Sequence, residues 1–156
     1  ARVKRITYDF IGKKDYEYVR EKTGEYMILQ PQSDDIKLKD RPVPLNPSYY
    51  FERMQFTDVL PESKITSPTE DVTTLYTFDG LILKVHFHMI DFKDFVHFSA
   101  DVDSSLRDAS AKDLLPLSTV QQEANAINER TKGWLYKLGQ FHYNQLRSSY
   151  FDLVTH

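Results

Sequence analysis

The chain of 156 residues contains no cysteine. Disulfide frameworks, thiol nucleophiles and cysteine-based zinc sites are thereby excluded. The redox compartment stays open, because a cysteine-free chain tolerates either. Glycine is scarce: five residues, no two of them adjacent. No glycine-rich phosphate loop can be built from them, and neither a G-x-S-x-G elbow nor an H-E-x-x-H pair is present. An excess of positive charge is also missing. Twenty Lys and Arg stand against 23 Asp and Glu, a net charge of −3, which argues against a general nucleic-acid binder. The longest apolar stretch, L-I-L-K-V-H-F-H-M-I, is interrupted three times and is far short of the about 20 residues a spanning helix needs. The chain starts at Ala1 without an initiator Met. It reads as a piece of a longer protein, with any targeting segment outside it.

What is present fits one globular domain over residues 1–156. Hydrophobic residues make up 40% and charged residues 28%, the balance of a chain that folds around one sizeable core. Ten Tyr and ten Phe supply large apolar area for a thin sheet-and-helix core.

Residues 5–11 alternate Ile6, Tyr8 and Phe10 on one face, a strand signal. Residues 16–21 and 25–30 form a second pair of short runs, closed by Lys22-Thr23-Gly24. Pro31 ends that strand. Residues 31–48 hold four of the seven prolines and read as a surface connection. Residues 48–56 read as a short middle helix capped by Ser48, with Tyr49, Met54 and Phe56 directed inward. Residues 57–71 read as irregular.

The clearest signal is V-T-T-L-Y-T-F-D-G followed by the Leu81–Ile90 run. Asp79-Gly80 predicts a two-residue turn, which pairs Phe78 with Leu81 and Tyr76 with Leu83. The core face is then Val72, Thr74, Tyr76, Phe78, Leu81, Leu83, Val85, Phe87 and Met89. A third strand over 95–102 continues the meander and turns Val96, Phe98, Ala100 and Val102 inward. Residues 103–117 read as polar and irregular. Ser118 with Gln121 predicts a capped helix, its narrow stripe made of Val120, Ala124 and Ile127 and its end marked by Gly133. Trp134, Tyr136 and Leu138 alternate as a short strand. Leu146, Tyr150 and Leu153 predict a terminal amphipathic helix. The expected class is α+β: an antiparallel meander with a short middle helix and two C-terminal helices packed on one side.

Four groups are weighed for chemistry. His86, His88 and His97 form the first. His-x-His places two imidazoles on one strand face, and an Asp91–Asp94 turn would set His88 opposite His97, within reach of a shared zinc or copper ion. The plainer reading is a polar, half-solvated sheet face, with Lys84 beside it to repel a cation and no second shell in sight. The second group, D-V-D-S-S-L-R-D from Asp101, resembles a calcium loop but has Leu106 in place of the required Gly and Lys112 in place of the bidentate Glu. Third, carboxylates such as Glu70 with Asp71, or Glu123 with Glu129, carry no mark of a catalytic pair. Last, Tyr49 and Tyr50 beside the proline-rich stretch are candidates for an exposed partner surface.

The order of motifs carries a resemblance. G-E-Y-M-I-L-Q-P at 24–31, F-x-D-V at 56–59, T-F-D-G-L from Thr77 to Leu81, and the closing N-x-R-x-x-G-W-x-Y-x-L block succeed one another. That block is Asn128, Arg130, Gly133, Trp134, Tyr136 and Leu138. Together they resemble the bacterial domain-of-unknown-function family 4340. The resemblance implies a domain tethered by a preceding membrane helix, facing the periplasm, and working beside ABC-type transport components of the gliding-motility kind. It implies membrane transport proteins as partners and carries over no catalytic residue; no metal or cofactor is expected. Physically, the closing block reads as a clasp, with Trp134 buried between the sheet and a C-terminal helix. The rival reading makes Trp134 an exposed anchor for a partner.

Overall fold

The computed structural model describes residues 2–31, 37–38, 55–66, 71–148 and 154–155. Ten strands occur there: β1 (Val3–Asp9), β2 (Tyr16–Val19), β3 (Ile28–Gln30), β4 (Lys37–Leu38), β5 (Phe56–Pro61), β6 (Val72–Thr77), β7 (Leu81–Ile90), β8 (Lys93–Val102), β9 (Trp134–Leu138) and β10 (Val154–Thr155). The class is α+β, as expected. One helix of full length, α1 (Leu117–Thr131), lies between β8 and β9, and a seven-residue segment, α2 (Gln140–Leu146), follows β9.

Eight strands form one sheet in the order β3-β2-β1-β6-β7-β8-β9-β5. Every neighbouring pair is antiparallel. β10 pairs separately with β4. One face of the large sheet is the core face. Ile6, Tyr8, Tyr16, Tyr18, Leu29, Leu75, Val85, Phe87, Val96 and Phe98 are buried there, and Tyr143 and Leu146 of α2 close over them. Aromatic packing dominates: Tyr8 stacks on Tyr16 at 4.3 Å, and Phe10 and Tyr143 meet Phe87 edge-on at 5.9 and 5.7 Å. A smaller cluster joins Val120 and Ala124 of α1 to Leu81.

Several expectations are corrected. The loop between β6 and β7 has three residues, not two. The Gly80 amide donates to the Thr77 carbonyl, Gly80 has φ +94°, and Leu75 and Tyr76 lie opposite Leu83 and Ile82. This is a turn with a glycine bulge, and it inverts the facing of β6. Thr73, Leu75 and Thr77 are buried; Tyr76 lies on the other face under Arg5, whose guanidinium is 5.3 Å from its ring. The inward threonines are tolerated because they are hydrogen-bonded. Thr73 donates to the Leu146 carbonyl at 2.8 Å, and Thr77 donates to Asp79 at 2.6 Å and accepts from the Leu81 amide.

The next turn is shorter than expected. Asp91 and Phe92 alone connect β7 to β8, with φ of 50° and 63°, the signs of a type I′ turn. His97 therefore lies opposite His86, and Phe95 opposite His88.

The expected two C-terminal helices on one side are not matched. Among the described residues α1 is the one long helix, and the helical segment after β9 stops at Leu146. Tyr150 and Leu153 fall outside the described residues. The expected middle helix is not matched either: Phe56 opens β5, while positions 48–54 lie outside the described residues. β5 runs through residues read as irregular, because an edge strand needs little apolar pattern and accepts Pro61 at its end. α1 begins at Leu117 after Pro116, without a side-chain cap. Ser118 thus sits inside the first turn.

Candidate functional site

The three histidines do come together, on the sheet face opposite the core. The His86 and His97 rings stack at 4.5 Å and 13°, a consequence of their direct pairing across β7 and β8. His88 lies diagonally from His97, with ring centroids 5.7 Å apart and planes 22° off parallel. Its Nε2 faces His97 Nδ1 at 3.5 Å, longer than an ordinary ring N–H hydrogen bond. His86 Nε2 lies 3.2 Å from the Ser99 hydroxyl. The His88 Nδ1 is buried and unpartnered.

Burial pushes the His86 imidazole down to about 4, and the neighbouring His97, His88 and Lys84 add to the effect. Burial and His97 also lower His88, against an opposing pull from Glu62. These two rings are therefore neutral at pH 7. The three rings do not converge as the less favoured three-histidine reading requires. The His86 and His97 rings lie face to face at 4.5 Å, so their in-plane lone pairs run side by side and do not converge. Among the described residues no three His, Asp or Glu side chains are gathered to hold a metal ion.

The second candidate lies at the far edge of the sheet. Trp134 was expected in the core; it is 45% exposed, and the fully buried residue of β9 is its neighbour Leu135. Pairing of Tyr136 with Val96 puts Trp134, Tyr136 and Leu138 on the core-side face. β9 and β5 carry that face to the sheet's outer end. Val59 and Pro61 of β5 pair with Tyr136 and Trp134. Phe56 leans on Tyr136 at 4.7 Å and on Phe98 at 6.0 Å. Phe56 and Val59 are 46% and 44% exposed. The result is a strip of aromatic and aliphatic side chains that joins the core at one margin and solvent at the other.

The other residues of the closing block are structural. The Asn128 side chain accepts from the Ala100 amide and donates to the Ala100 carbonyl, both at 2.8 Å. It occupies the edge of β8 where β9 no longer pairs. The T-F-D-G segment from Thr77 to Gly80 is likewise a joint. Asp79 is buried and gripped by Arg2 through two hydrogen bonds of 2.9 and 3.0 Å, and Arg2 also binds Glu123 of α1. Burial raises the Asp79 carboxyl, but the bonds from Arg2 and Thr77 and the charge of Arg2 outweigh it and leave it below the usual carboxylate range.

Tyr49 and Tyr50 lie outside the described residues. Sequence reasoning missed Phe56 and Val59 as surface residues, and Phe92, which is 98% exposed at the β7–β8 turn. The signal for β5 was its end at Pro61. Two open hollows also flank the sheet, one of about 520 Å³ beside Arg5 and Tyr76, one of about 540 Å³ beside Tyr143 and Arg147. Their arginines are committed to neighbours: Arg5 to Glu17, and Arg147 to Asp71 and Tyr143. No family model, no curated protein and no solved structure matches this chain.

Proposed function

We propose that this chain is a non-enzymatic interaction domain of a membrane-associated transport assembly, held on the extracytoplasmic side of a bacterial membrane by a segment outside the chain. The setting rests on the resemblance of the motif series. The interaction role rests on one observation, the exposed strip of Phe56, Val59 and Trp134 on the terminal strands. Apolar side chains concentrated in one place, with a Trp among them, are the composition of a binding hot spot. Among the described residues no helix is long and apolar enough to cross a membrane.

Affinity capture from membranes tests this reading, with the full-length protein and its Trp134→Ala variant side by side. The wild type should retain a membrane transport protein that the folded variant loses. Equal capture by both, or capture of no membrane protein by the wild type, overturns it.

A further inference from the structure

The histidine face holds a pair that the interaction role does not use. His88 Nε2 and His97 Nδ1 lie 3.5 Å apart, nearer than the ring centroids at 5.7 Å, so these two rings meet by their nitrogen edges rather than face on. Two zinc–nitrogen bonds of about 2.0–2.1 Å to atoms that far apart enclose an angle of roughly 115–120°, close to tetrahedral. The same gap is too wide for a strong N–H···N hydrogen bond. We infer that His88 Nε2 and His97 Nδ1 form a two-histidine site for a divalent late-transition-metal ion such as zinc, with water in the remaining positions.

Further observations support the pair. His88 Nδ1 is buried, so Nε2 is the nitrogen left facing the gap. Both β-strands hold the pair from rigid backbone, two residues out of direct opposition and so on the same face. Lys84, the cation that would oppose an ion, acts on His86 rather than on His88, while Glu62 places negative charge near His88. His86 is occupied with Ser99 and stacks on His97; it orients the His97 ring without binding the ion. The buried Nδ1 of His88 has no acceptor for its proton, so the second shell is incomplete and affinity is modest.

The test is calorimetric titration of the intact chain with zinc alone at neutral pH. One ion per chain should bind, at least ~10-fold more weakly in His88→Gln and in His97→Gln, while His86→Gln keeps uptake within about 3-fold. Should a variant fail to fold, imidazole nitrogen NMR of the wild type reads the same question, with zinc-induced shifts centred on His88 and His97. No zinc uptake by the wild type means the two rings share only a proton, and the inference fails. It fails equally if uptake survives both ligand variants, or if His86→Gln abolishes it as fully as the others.

Discussion

The side-chain amide of Asn128 stands where a neighbouring strand would stand beside Ala100, giving one bond and taking one. Removing it leaves two backbone groups of β8 without partners, so Asn128→Ala should cost about 1–3 kcal/mol in chemical denaturation. Asn128→Asp should cost at least as much despite equal size, because a carboxylate cannot donate to the Ala100 carbonyl. Trp134 behaves in the opposite way. With nearly half its surface in solvent, Trp134→Ala should cost no more than about 1 kcal/mol, against the about 3–5 kcal/mol of a core aromatic. His86 sets a pH dependence. Its folded value of about 4 lies below the ordinary 6.5, so its contribution is complete above pH 6.5 and is lost as pH falls toward 4. The full shift corresponds to roughly 3 kcal/mol; partial solvent exposure reduces this to about 1–2 kcal/mol. Urea midpoints at pH 7.5 and 4.5 should therefore separate more in the wild type than in His86→Gln, and equal separation would contradict the assignment. The histidine pattern was legible because period two puts alternate residues on one face. Which imidazole meets which was not, since that depends on two residues of turn length.

At the scale of elements, the two hairpin turns account for most of what the sequence left open. Asp79-Gly80 marked the first turn correctly in place but not in length. The reason is Phe78, which is buried within the loop, where Lys4 and Arg20 lie over its ring, and Asp79, which Arg2 draws inward. A Cβ at Gly80 would come within 2.7 Å of the Asp103 carbonyl oxygen. Gly80→Ala should thus cost about 2 kcal/mol or more, whereas Gly24→Ala, at φ +88° with open space around it, should cost only about 1 kcal/mol. In the second turn, Phe92 adopts φ 63° while almost wholly exposed. It gives up no burial on removal, so Phe92→Gly should raise the thermal midpoint, by about 0.5–1 kcal/mol in stability. A lower midpoint would show that the exposed ring has a packing role. α1 was legible from its stripe, since Val120 and Ala124 are its buried residues. Its start was not, because Pro116 fixes the entry where Ser118 offered a cap.

Across the whole molecule, local pattern identified most strands of the sheet but not their order. β5 and β9 are separated by more than 70 residues yet form the outer pair, and β1 inserts beside β6. Such pairings are decided by which strands complete a common buried face, and alternation within one strand does not specify its neighbour. The same order explains the exposed strip. α1 covers the β7–β8 part of the core face and α2 the part around Phe87, while the Trp134 end extends past both. Site-specific photo-crosslinking in intact membranes tests the central claim most directly, with the reactive group placed at Val59 of the full-length protein and, as control, at the exposed Lys112. The account predicts a light-dependent adduct with a membrane transport protein from position 59 and none from position 112. No adduct from position 59, or adducts of equal yield from both positions, would contradict it.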